Sequence, residues 1–110
     1  MRKLSGYRIV WALVMFDLPV GTFLQRKEYQ RFKDYLLDEG FMMAQYSVYL
    51  KHCSGKEQFE ALAKRIERRL PPNGVVDILL LTDKQYEKII RYQSSTLCRQ
   101  NKNPDQLVLF

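Results

Sequence analysis

Ile9 to Phe16 are eight consecutive apolar residues, with β-branched and aromatic side chains on both parities of the chain. A strand of this kind, over Arg8–Phe16, has no polar face to offer water, so it is expected at the centre of a sheet and buried on both faces. Asp17 breaks the run and Leu18-Pro19 ends it, because proline donates nothing to a central ladder. A membrane-spanning helix needs about twenty apolar residues, so this run crosses no bilayer. Met1-Arg2-Lys3 is basic, but the polar stretch Ser5–Arg8 intervenes and no small-residue cleavage pattern follows, so no secretory signal is expected.

The rest of the chain arranges itself around that strand. Thr22 and Gln25 have the spacing of a capping box, which predicts a helix start. Tyr29, Phe32 and Leu36 then form one apolar stripe, with Lys27, Arg31, Asp34 and Asp38 opposite and Gly40 as the stop. Phe41 to Cys53 is again strand-like and long enough for a tightly joined pair. No Gly, Pro or Asn marks a turn inside it, so the break is expected only loosely, around Gln45 to Ser47. Ser54 and Glu57 repeat the capping-box spacing. Phe59, Leu62, Ala63, Ile66 and Leu70 make the second buried stripe, closed by Pro71-Pro72-Asn73-Gly74. Val75 to Leu81 reads as a further strand, Thr82-Asp83 as the cap of a short helix through Glu87, and Ile89 to Tyr92 as an edge strand. Ser94 to Pro104 is a polar arm, and Leu107 to Phe110 is expected to add a strand to its own or a partner's sheet.

The order βαββαβ predicts an α+β, ferredoxin-like fold: a four-stranded antiparallel sheet with both helices on one face, over residues 1–93, followed by the 94–110 arm. One hundred and ten residues, 46% hydrophobic and 27% charged, suffice for one domain with one core and exclude a disordered class. Cys53 and Cys98 show no metal-site spacing and fit two structural thiols in a reducing cytoplasm.

A formal net charge of +6 favours polyanionic partners, most simply nucleic acid. Arg26, Lys27, Arg31 and Lys33 on the first helix, and Lys64, Arg65, Arg68 and Arg69 on the second, are candidate phosphate contacts or simply solvated faces. Asp17 is the candidate for chemistry. It is either a solvated strand-end residue serving the Pro19–Gly21 turn, or a ligand for a divalent cation such as Mg2+. His52, the only histidine, reads as a structural or surface residue, and no Gly-rich phosphate loop, GxSxG or HExxH is present.

Three segments together resemble a known family: Val14-Met15-Phe16-Asp17-Leu18-Pro19, Gly40-Phe41, and Gln45-Tyr46-Ser47-Val48-Tyr49. The chain is similar along its length to CRISPR-associated protein two. The Phe-Asp-Leu-Pro form and Leu81-Thr82-Asp83-Lys84-Gln85-Tyr86 look most like members from type II systems. The resemblance implies a homodimer whose C-terminal strand, here Leu107 to Phe110, crosses to the partner. It implies Asp17 as the catalytic and magnesium-binding residue of an endonuclease acting on RNA or DNA. It also implies an adaptation role, in which the dimer holds duplex DNA and bridges the integrase subunit, CRISPR-associated protein one. Many members carry Tyr where this chain has Phe16, a small point for the scaffolding role.

Two other readings share the fold. One is a free-standing, toxin-like endoribonuclease. The other is a small-molecule-binding regulatory module, for which the chain lacks polar anchors and glycine-rich loops. Steep salt dependence separates nucleic-acid binding from the module, since phosphate contacts release counterions.

Overall fold

A computed structural model describes residues 9–93. The elements run β1 (Val10–Asp17), α1 (Phe23–Asp38), β2 (Met42–Gln45), β3 (Val48–Cys53), α2 (Lys56–Glu67), β4 (Val75–Thr82) and α3 (Asp83–Glu87). The four strands form one sheet in the order β2-β3-β1-β4, every neighbouring pair antiparallel. This is the α+β arrangement expected from the element order, with β1 central. The crossing of Leu107 to Phe110 to a partner, and the 94–110 arm, lie outside the described residues.

The core is one-sided. Val10, Ala12, Val14 and Phe16 of β1 pack with Phe32 and Leu36 of α1 and Leu62 and Ile66 of α2. Val76, Ile78 and Leu80 extend the layer from β4. On the other parity of β1, Trp11 and Leu13 are half-buried, and Met15 and Asp17 are exposed. The expectation that β1 is buried on both faces is therefore corrected. Its second face is apolar, and among the described residues only the short α3 packs on it, at Trp11.

The ends of α1 follow local chemistry closely. Thr22 Oγ1 accepts from the Gln25 N–H at 3.1 Å, and Gln25 Oε1 accepts from the Thr22 N–H at 3.1 Å, completing the capping box. At the other end Gly40 takes φ +99°, its N–H bonds Leu37 O and the N–H of buried Phe41 bonds Leu36 O, both at 3.0 Å. That is the paired-carbonyl stop in which a left-handed residue satisfies the last free acceptors.

Three expectations fail. The second helix does not use a Ser54–Glu57 box. Gly55 is the cap, so the residue three places on is Gln58, whose Oε1 accepts from the Ser54 N–H at 2.6 Å and the Ser54 hydroxyl at 3.1 Å. Leu70 lies beyond the end of α2 and is 45% exposed, because the helical period stops at Glu67 before it can be turned inward. Ile89 to Tyr92 form no strand. Trp11 instead organises this region: it stacks on Tyr86 at 4.2 Å, meets the edge of His52 at 5.1 Å, and donates from Nε1 to Asp83 Oδ1 at 3.1 Å. The short α3 keeps its own capping box between Thr82 and Gln85.

Candidate functional site

Asp17 is the last residue of β1, on the same side of the sheet as Met15 and opposite the helices. Its side chain is exposed, and no described side chain hydrogen-bonds or ion-pairs with its carboxylate. Nor does it serve the following turn, where the Gly21 N–H donates to Gln25 Oε1 at 2.9 Å. Two contacts hold the strand end in place. The Phe16 N–H donates to Ser47 O at 3.1 Å, and Gly74 packs directly against Asp17 and Leu18. A Cβ at Gly74 would stand 2.7 Å from Asp17 O and 2.7 Å from Leu18 Cδ2, and Gly74 also takes φ +101°. Only glycine meets both demands without displacement.

Asp17 opens into a shallow cavity of about 260 Å³ shared with Asp77, Tyr46 and Ser47 over an apolar floor of Met15, Val48 and Val75. Asp77 comes from β4. The antiparallel register sets Asp17 opposite Val75 and Met15 opposite Asp77, so the two carboxylates are diagonal neighbours on one sheet face. Side chains in that relation stand roughly 7–8 Å apart or somewhat less. Sequence reasoning missed Asp77 because Val75–Leu81 reads as one apolar strand. The signal was its parity, opposite to Val76, Ile78 and Leu80, which marks it as facing away from the helices.

Tyr46 and Ser47 form the two-residue turn between β2 and β3. Ser47 holds φ +63°, a left-handed conformation that costs an L-residue about 1–2 kcal/mol. Its surroundings fix it there: its carbonyl accepts from Phe16, and its hydroxyl lies 3.1 Å from Tyr29 Oη. The break expected around Gln45 to Ser47 falls at this turn, which carries no Gly, Pro or Asn and is held by long-range contacts. Tyr29, expected as part of the α1 stripe, is half-buried and reaches the site through its hydroxyl.

The basic residues sit on the helix layer, away from the face that carries Asp17. Lys27, Arg31 and Arg69 line an open groove of about 690 Å³, but Asp34, Asp38 and Glu39 line it too, so its formal charges balance. Lys27 lies over the Phe23 ring at 5.5 Å and Arg69 over the Tyr35 ring at 4.8 Å. Arg26 Nη1 donates to Val20 O at 3.2 Å. Arg65 makes a two-pronged ion pair with Glu39, Nε to Oε2 at 2.9 Å and Nη2 to Oε1 at 3.0 Å. That bond, with a further one from Tyr35 Oη at 2.8 Å, holds the Glu39 carboxyl below its ordinary range against the opposing effect of burial. Lys51 Nζ donates to the Glu39 carbonyl, so this cluster ties α1, α2 and β3 together. Lys64 and Arg68 are exposed, Lys33 is half-buried, and none of the three lines the groove. Cys53 is buried, which pushes its thiol upward and leaves it inert. His52 is an exposed residue whose ring meets the edge of Trp11, within the structural or surface reading expected of it.

A four-stranded antiparallel sheet in ferredoxin-like order, with the helices α1 and α2 on one face and an exposed carboxylate at the end of β1 on the other, defines the class of this small α+β protein. The profile of the CRISPR associated protein Cas2 family matches residues 10–89, and the chain belongs to that family. Among its relatives is a CRISPR-associated endoribonuclease Cas2 from Paracidovorax avenae, 46% identical over 97% of this chain and 99% of the relative. One from Flavobacterium psychrophilum, of the same description, is 38% identical over 98% of this chain and 94% of the relative. A solved structure described as a crystal structure of cas2 superposes with a TM-score of 0.54 at 20% identity, covering 80% of this chain and 92% of that one, which shows the shared fold. Among the described residues no helix is long and apolar enough to cross a membrane.

Proposed function

We propose that this chain is a divalent-metal-dependent endoribonuclease that works as a homodimer, and that the dimer serves CRISPR adaptation. The observation that carries the first part is the free carboxylate of Asp17, held at the end of a rigid central strand and opening into a cavity with Asp77. A carboxylate in that position, with no partner among the described residues, is available as a donor for a ligand. Among the described residues no cluster of three metal-ligating side chains exists, and the Asp17–Asp77 pair is the donor set this cavity offers. This oxygen donor set fits Mg2+, which keeps several waters and takes one or two carboxylates beside substrate phosphates. When bound, such an ion supplies Lewis-acid polarisation of a phosphodiester and a water of lowered pKa. Asp17 and Asp77 would hold the ion, and the Phe16–Ser47 bond fixes the strand end that carries Asp17.

The dimer reading rests on the uncovered sheet face, where Met15, Leu79 and Val75 are exposed although apolar. An apolar sheet face of this kind is stable when a second layer covers it, and a second copy brings its own Asp17 to the same surface. The separation of the basic helix layer from Asp17 supports the adaptation role, since backbone contacts made there fix a duplex without engaging the carboxylates. In that role the dimer holds duplex DNA and bridges the integrase subunit, as in the type II systems that the Phe-Asp-Leu-Pro segment resembles.

Purified protein incubated with single-stranded RNA and Mg2+ tests the enzymatic reading. Cleavage is expected for the wild type and abolished by Asp17→Ala or by chelation, with duplex DNA binding unchanged in the variant. Undiminished cleavage by Asp17→Ala overturns it.

A further inference from the structure

The ring of Tyr46 projects from the tip of the β2–β3 turn and is 79% exposed, among the most open aromatic surfaces described. It is not a loose side chain. The ring of Tyr29 backs it at 6.2 Å and 25° between planes, and Tyr29 is fixed by its hydroxyl at Ser47 and by the edge of Phe16 at 5.7 Å. The turn that carries Tyr46 is itself held in a strained conformation by Ser47 at φ +63°. Strain kept by several surrounding contacts is concentrated where a protein needs a group held in one place. One face of the ring is thus supported by protein and the other is offered to solvent, on the rim of the cavity that Asp17 lines.

We propose that Tyr46 is a base-stacking platform that receives an unpaired RNA nucleobase and so sets the adjoining phosphodiester against Asp17. It is a positioning residue, acting through the placement of substrate. An unpaired base has a free π-face and stacks on an aromatic ring with little regard to sequence, whereas a base inside a duplex has both faces occupied. The net charge of +6 draws the polyanion, and the ring then selects single-stranded over double-stranded segments at the cavity. The Tyr29 hydroxyl holds the Tyr46 phenol above its ordinary range, so the ring stays neutral where RNA is stable. The proposal rests on the reading of Asp17 as the cleavage site.

The test uses full-length protein and a short single-stranded RNA with Mg2+. Tyr46→Ala is expected to raise KM roughly tenfold, the size of one lost base–aromatic stack, with kcat little changed. Tyr46→Phe keeps the ring and is expected to match the wild type. Because Tyr46 is exposed, neither variant removes core packing, and equal thermal midpoints check that. A second measurement reads binding alone: the non-cleaving Asp17→Ala protein and its Tyr46→Ala double variant are titrated with RNAs carrying an abasic site at successive positions. One abasic position should weaken binding about tenfold in the Tyr46 protein and have no effect in the double variant. Unchanged KM in Tyr46→Ala, with cleavage still lost in Asp17→Ala, overturns the stacking proposal and leaves the Asp17 reading intact. Full cleavage by Asp17→Ala overturns both.

Discussion

The chemistry of single residues here is decided by what holds them. Asp17 has no described partner, while Glu39 has several, and the two carboxylates behave accordingly. Arg65 keeps the folded-state value of Glu39 below its ordinary 4.5. A carboxyl depressed by folding contributes stability that is complete above the unfolded value and is lost as pH falls through the folded one. Urea midpoints measured from pH 7 to pH 3 are therefore expected to fall more steeply below about pH 4.5 for the wild type than for Glu39→Gln. The gain is limited because Arg65 is 44% exposed and solvent screens the pair. Ser47 poses the opposite balance. Ser47→Ala removes the hydroxyl partner of Tyr29 and is expected to cost about 0.5–1.5 kcal/mol in denaturant unfolding. Ser47→Gly loses the same bond but relieves the left-handed backbone, so it should cost less. Equal losses for the two would show that φ +63° carries no strain.

Among the elements, β1 does two jobs through its two parities. Val10, Ala12, Val14 and Phe16 anchor the helices, while Trp11, Leu13, Met15 and Asp17 make the second face. Gly74 is where β4 meets the end of β1, and it positions Asp17 by leaving room for the Asp17 carbonyl. Gly74→Ala is expected to destabilise the protein by about 1–3 kcal/mol, from backbone strain alone. It should also lower cleavage further than the fraction unfolded explains, because the strand end must shift. Cleavage that tracks only the folded fraction in a urea titration would exclude the positioning role of Gly74. At the start of α1, Thr22→Ala breaks one half of the capping box and is expected to cost about 1 kcal/mol with no change in cleavage per folded molecule.

For the molecule as a whole, the sheet separates two surfaces. The helix layer carries the basic residues, partly neutralised by Asp34, Asp38 and Glu39, and the open face carries Asp17, Asp77 and exposed apolar side chains. A charge placed on the open face tests its proposed role as an interface. Met15→Asp and Leu79→Lys are expected to convert a dimer into a monomer in sedimentation velocity while the far-ultraviolet spectrum stays unchanged. An unaltered sedimentation coefficient would overturn the reading of this face as a dimer interface. Duplex DNA binding should weaken steeply with added salt, and Lys64→Ala with Arg68→Ala should flatten that slope by about one to two counterions.

Local chemistry made much of this legible in the sequence. The α1 capping box, the Gly40 stop, the core stripes and the central position of β1 all follow from propensities and periods written within a few residues of one another. Asp17 stood out because a carboxylate closes an apolar run. What lay beyond reach depends on registers and through-space contacts. Asp77 meets Asp17 only because β4 pairs with β1 in one register, and a shift of one residue would turn it to the helix side. The Tyr46-Ser47 turn forms without Gly, Pro or Asn, with Tyr29, eighteen positions from Ser47, at its hydroxyl. The second face of β1 read as buried because its residues are apolar, yet hydrophobicity states only what a side chain prefers. Whether a layer of the same chain covers it is a matter of topology, and here both long helices pack on the other side.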